Sequence, residues 1–104
     1  MTKADRRRAA WKKTNGICAH CGHKVGSNKR TVDHYVPKSK GGGYDSRNLI
    51  PLCRKCNEAR GNANIDPYDY YIFAPKKVIT DCLKYETKLE EELITLDGTK
   101  VGEY

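Results

Sequence analysis

Two Cys-x2-Cys pairs, Cys18/Cys21 and Cys53/Cys56, bracket an Asp33-His34 dipeptide and Asn48. Four thiolates in two such pairs can close a tetrahedral site around zinc, which has no d-electron geometry preference and accepts soft sulfur ligands. One pair alone is a weak signal, but two in a short chain are a strong one. Cys18, Cys21, Cys53 and Cys56 are therefore expected to hold a structural zinc ion. His20 and His23 flank Cys21 but are not needed as ligands, and they are expected to be exposed loop residues.

The elements that must position these groups follow from local pattern. Each cysteine pair reads as a knuckle, a tight turn that points both sulfurs at one metal, and Gly22 suits the first of them. Thr31–Val36 is rich in β-branched and aromatic residues and reads as a strand. Side chains alternate across a strand, so Asp33 and His34 share a face only if the strand bends. Pro37 helps to end it, and Lys38–Tyr44 is a basic, glycine-rich loop without P-loop spacing. Asn48–Leu52 is a second short strand, which makes a hairpin with a long connection. Cys53–Asn62 opens a short helix that carries Cys56 and Asn57 in its first turn.

Composition sets bounds. A chain of 104 residues with 38% hydrophobic content is one small domain, read as residues 1–104 with a core at about 15–65. At this size a structural metal often compensates for a modest core. No apolar run is long enough to span a bilayer, and the basic N-terminus lacks the apolar stretch of a secretory signal. An intracellular, cytoplasmic protein with reduced thiols is expected, encoded by a bacterium or a phage. The net charge of +7 is uneven. Residues 1–60 carry fifteen Lys/Arg against four Asp/Glu, and residues 61–104 carry five against nine. The metal-binding half is thus the basic half, which suggests a polyanionic partner, nucleic acid above all.

By these residues the chain resembles the HNH endonucleases, whose core is a ββα-metal unit. The resemblance covers residues 18 to about 61. It rests on the paired cysteines, Asp33-His34, Pro37, the Ser39-Lys40-Gly41-Gly42 loop, Asn48-Leu49 and Cys53-x2-Cys56-Asn57. It implies an α+β fold, a small zinc-stabilised ββα-metal (His-Me finger) core with flanking N-terminal and C-terminal helices. It makes His34, Asn48 and Asn57 the three letters of the motif, and because many members carry His at the last, this is an HNN variant. The implied activity is hydrolysis of DNA phosphodiester bonds, leaving 5′-phosphate and 3′-hydroxyl ends.

Residue chemistry gives each group a role. An imidazole with a reference pKa of about 6.5 is largely neutral at cell pH, which makes His34 the candidate general base. Asp33 and Asn57 offer hard oxygens that suit catalytic magnesium or manganese better than zinc. Such a cation would neutralise phosphate charge and stabilise the departing oxygen. Asn48 is expected to bond backbone groups across the hairpin and hold His34 in place. Arg6, Arg7, Arg8, Lys38, Lys40, Arg47, Arg54, Lys55 and Arg60 are the candidates for contact with DNA, which is expected to be double-stranded. A second reading is a non-catalytic zinc-containing module that binds nucleic acid through a degenerate HNH site.

The flanks are simpler. Lys3–Lys13 reads as a basic helix with Thr2 and Asp5 as caps and a narrow apolar face of Ala9, Ala10 and Trp11. Beyond Gly61, an aromatic cluster of Tyr68, Tyr70, Tyr71 and Phe73 is expected to pack the tail on the domain. Lys76–Leu96 carries Val78, Cys82, Tyr85, Leu89, Leu93 and Leu96 at helical spacing, an amphipathic helix within an extension of about 76–97. Its stripe packs on its own domain or, alternatively, forms a homodimer. Cys82 reads as a core residue, and Asp97–Tyr104 as a polar tail. A larger phage or restriction complex is a further possible setting.

Overall fold

The computed structural model describes residues 1–92, so the expectations for Leu93, Leu96 and the tail lie outside the described residues. Helix α1 (Lys3–Lys12) begins with a capping box: Thr2 Oγ1 accepts from the Asp5 amide at 3.1 Å, and Asp5 accepts from the Thr2 amide in return. The helix is polar nearly all round; Ala10 and Trp11 are its buried residues, and one of them is its main anchor. That anchor is Trp11, only 1% exposed, whose Nε1 donates to the Thr31 carbonyl at 2.8 Å. Burying so large an aromatic with its N–H satisfied ties α1 to the sheet.

Strand β1 (Arg30–His34) pairs antiparallel with β2 (Leu49–Cys53), placing Arg30 opposite Cys53, Asp33 opposite Ile50 and His34 opposite Leu49. β1 thus leaves the ladder two residues before the expected Val36. The reason is Asn48. Tyr35 still donates to the Asn48 carbonyl, but Val36 bonds the Asn48 side chain instead of a ladder partner. Helix α2 (Arg54–Arg60) follows β2 directly, its first turn capped by Cys53 Sγ, which accepts from the Cys56 amide. A short helix α3 (Pro67–Tyr70) and the long α4 (Lys76–Glu92) complete the described chain. Two strands followed by a helix, with a cysteine cluster beside them, are a ββα arrangement in an α+β fold.

Ile50 and Leu52 of β2 are fully buried beside Trp11, Cys18 and Tyr71. On α4, Val78, Ile79, Cys82 and Tyr85 are buried and Leu89 is half-buried, so most of its apolar stripe through Glu92 packs on the chain's own fold. Cys82 is 0% exposed, and burial pushes its thiol up to about 12, which keeps it protonated as a core residue. The Tyr85 hydroxyl reaches across to accept from the Gly43 amide at 2.9 Å, and Tyr35 donates to Glu86 at 3.0 Å. The aromatic cluster divides: Tyr71 is buried, whereas Tyr68 and Phe73 are exposed. Among the described residues, no helix is long and apolar enough to cross a membrane.

Candidate active site and metal centre

The four cysteine sulfurs lie within 4.8 Å of one another. A zinc ion bound at about 2.3 Å to four sulfurs sets them about 3.8 Å apart, so this cluster needs only small adjustments to close. The first knuckle is shaped by backbone: the Cys18 amide donates to the His23 carbonyl, and the Gly22 amide to the Cys18 carbonyl. Gly22 has φ +77°, in the left-handed region that a side chain disfavours, and a Cβ there would also meet the Phe73 ring at 2.9 Å. The second knuckle joins the first through the Cys53 amide, which donates to Cys18 Sγ at 3.3 Å. The Ala19 amide donates to the Pro51 carbonyl, seating the first knuckle on β2. The donor set and its spacing fit zinc. His23 is exposed as expected, but His20 is not. Its ring stacks on Tyr70 at 3.9 Å, and its Nδ1 lies 2.7 Å from the Tyr70 carbonyl.

β1 runs without a bulge through His34, so its side chains alternate, and Asp33 and His34 face different surroundings. Asp33 is 4% exposed. Its Oδ2 accepts from Arg60 and from the Tyr71 hydroxyl, both at 2.6 Å. Burial pushes the Asp33 carboxyl above the usual carboxylate range, while Tyr71 and Arg60 pull the other way. Arg60 also donates to the carbonyls of His34, Tyr35 and Ala63, at 2.7–2.9 Å for its shortest bonds. Its guanidinium thus staples the end of α2 to the end of β1. Sequence placed Arg60 among the nucleic-acid contacts; the structure corrects this, because the residue is 5% exposed and fully engaged inside.

Asn57 stands on α2 beside the same strand, its Nδ2 donating to Thr31 Oγ1 at 2.9 Å and to the Val32 carbonyl. Among the described residues, no side chain bonds Asp33 Oδ1 or Asn57 Oδ1. Each of these residues thus keeps one hard oxygen without a side-chain partner.

His34 opens to a cleft of about 430 Å³. Six cations line it, Lys3, Arg6, Arg7, Arg30, Lys38 and Arg54, and no acidic residue does. Its Nε2 is buried and has no hydrogen-bond partner. Burial, then the charges of Lys38, Arg6 and Arg60, hold the imidazole below its ordinary pKa, so the neutral form dominates at neutral pH. Tyr44 closes one side. Its ring meets His34 edge-on at 5.4 Å and carries Arg6 at 4.3 Å and Lys38 at 4.8 Å over its π system. Sequence reasoning passed over Tyr44 as part of the loop; an aromatic set among lysines and glycines was the available signal.

Asn48, 0% exposed, pins the loop that follows His34. Its Oδ1 accepts from the Val36 amide at 2.7 Å, and its Nδ2 donates to the carbonyls of Val36 and Gly43 at 3.1 Å. The glycine-rich loop passes so close that a Cβ on Gly42 would sit 1.6 Å from the Val36 carbonyl oxygen. Of the other predicted DNA contacts, Arg8 pairs with Asp5, Arg47 with Asp45, and Lys40 bonds Asn64. None of these three lines the His34 cleft, and Lys55 lines a neighbouring one.

Comparison with known proteins bears on this geometry. Residues 18–63 match the HNH endonuclease family. Over 49 residues the HNH segment is 37% identical to the CRISPR-associated endonuclease Cas9 of Corynebacterium diphtheriae, which is 46% of this chain and 4% of that protein. Over 46 residues it is 35% identical to Cas9 of Actinomyces naeslundii, 43% of this chain and again 4% of the relative. The chain therefore spans a small part of these proteins. The crystal structure of the Type II-C Cas9 enzyme from Actinomyces naeslundii superposes with a TM-score of 0.57 at 23% identity, covering 78% of this chain and 10% of that one. That likeness shows the fold of the HNH segment.

Proposed function

We propose that this chain is a metal-dependent HNH endonuclease that hydrolyses DNA phosphodiester bonds, with His34 as general base. The observation that carries the reading is an imidazole with one ring nitrogen unpartnered, in a cleft whose other charged residues are all cations. The family match over residues 18–63 and the Cas9 relatives, which are endonucleases by name, support it.

The substrate backbone enters the cleft and the cations around His34 neutralise its phosphates. His34 takes a proton from a water molecule as the water oxygen attacks phosphorus. The bond to the 3′ oxygen breaks and that oxygen takes up a proton from solvent, leaving a 5′-phosphate and a 3′-hydroxyl. Asn48 fixes the turn behind His34, so the ring does not drift as it gains charge. Tyr44 shields the ring and steers Arg6 and Lys38 toward the phosphate. Asp33 and Asn57 would hold magnesium or manganese, which when bound supplies charge neutralisation at the phosphate and the departing oxygen. Arg60 and Tyr71 hold Asp33 Oδ2, which leaves Oδ1 as the oxygen for that cation. The four-cysteine zinc site is scaffold, and residues 15–65 are the core of a single domain.

Supercoiled plasmid incubated with magnesium, manganese or calcium tests this. Wild type is expected to relax or linearise it with magnesium or manganese, and His34→Ala and Asn57→Ala to be slower by about 100-fold or more. Wild type and His34→Ala equally inert with every ion would leave a nucleic-acid-binding zinc module instead.

A further inference from the structure

A second basic cleft, of about 610 Å³, lies beside the cysteine clamp. Lys24, Lys29, Arg54 and Lys55 line it with Cys53, and Glu58 is its one acid. It is joined to the His34 cleft in two ways. Arg54 lines both. Above Gly16, Arg30 from the His34 cleft and Lys24 from the second cleft converge, each within 4.0 Å of where a Cβ would stand.

What marks this band is that its cations gather in two adjoining clefts and none of them is in a salt bridge. Among the described residues, the cations in salt bridges are Arg8, Arg47, Arg60, Lys77 and Lys88, and none of them lines either cleft. Every cation that does line a cleft is without an acidic partner among those residues. Unpaired like charges that share a cleft repel one another, more so at low salt. A chain of phosphates laid along the band turns that repulsion into attraction.

We propose that the cleft beside the cysteine clamp is a second backbone subsite, continuous with the His34 cleft, which grips the sugar–phosphate backbone of the substrate strand several nucleotides from the scissile bond. The identity of the polyanion rests on the nuclease reading; the subsite itself rests on the band. Lys24 and Lys29 then carry affinity, sequence-independently, while chemistry stays at His34.

Salt-dependent binding of a fluorescein-labelled DNA duplex, read by anisotropy on the full chain carrying His34→Ala, tests it. Lys24 and Lys29 are exposed and make no side-chain hydrogen bond, so their replacement leaves the fold alone. Adding Lys24→Ala and Lys29→Ala should lower the slope of log K against log salt by about 2. Lys76→Ala with Lys84→Ala removes the same charge from α4 and should leave the slope in place. Equal slopes for the two pairs would overturn the subsite. Plasmid cleavage by wild type reports separately on the nuclease reading, so the two can fail independently.

Discussion

Asp33 and His34 are neighbours in sequence and opposites in surroundings. Asp33 is inside, with its charge met by Arg60 and its oxygen bonded by Tyr71. His34 faces a cleft whose cations have no acidic partners among the described residues, and one of its ring nitrogens has none either. A two-residue period is enough to sort them, because a strand sends successive side chains to opposite faces. Asp33 Oδ2, Arg60 and Tyr71 satisfy one another and build the scaffold. The side on which polar groups are left unsatisfied keeps its free energy for a ligand. Substitutions on the two sides should therefore be read out differently, by stability on one and by activity or binding on the other.

The largest effect should come where both sides depend on the same support. Cys53→Ser removes one ligand of the four-cysteine cluster and the sulfur that caps α2, so the domain should unfold or lose most of its melting transition. Far-ultraviolet circular dichroism with measured zinc content checks this; a folded variant with the wild-type melting temperature would remove zinc from the scaffold. Next is Arg60→Ala, which strands a buried carboxylate and several carbonyls. It should cost about 3–5 kcal/mol, read as a fall in the denaturation midpoint. Tyr71→Phe removes only one donor from Asp33 and should cost about 1–3 kcal/mol by the same measurement. The smallest change concerns the other side. A depressed imidazole pKa keeps the base neutral, so the acid limb of kcat/KM should have its midpoint below about 6.5. A midpoint at or above that pH would mean that burial and the neighbouring cations do not act on His34 as its surroundings require.

Much of the scaffold was legible because its signals are local. The Cys-x2-Cys pairs, the β-branched Thr31-Val32 and the Asn48 amide each announce themselves within a few residues. What was not legible depends on distant segments meeting. Tyr71 reaches Asp33 across 38 positions, from outside the family-matched stretch, and no periodicity predicts that contact. Arg60 looked like one more surface cation in a basic half, since charge counting does not see burial. The stripe on α4 was readable as amphipathic, but whether it met its own core or a second copy needed the packing of Val78, Cys82 and Tyr85. Nor does the glycine-rich composition of the Lys38–Tyr44 loop show that Asn48 and the contact of Gly42 with Val36 hold it closely.

The central claim is that His34 belongs to chemistry and not to the scaffold. Its most direct test is a paired measurement on His34→Ala: melting temperature, and the rate of plasmid cleavage with magnesium at neutral pH. The account predicts a melting temperature close to wild type and cleavage reduced about 100-fold or more. Cleavage at the wild-type rate by a normally folded His34→Ala protein would contradict it.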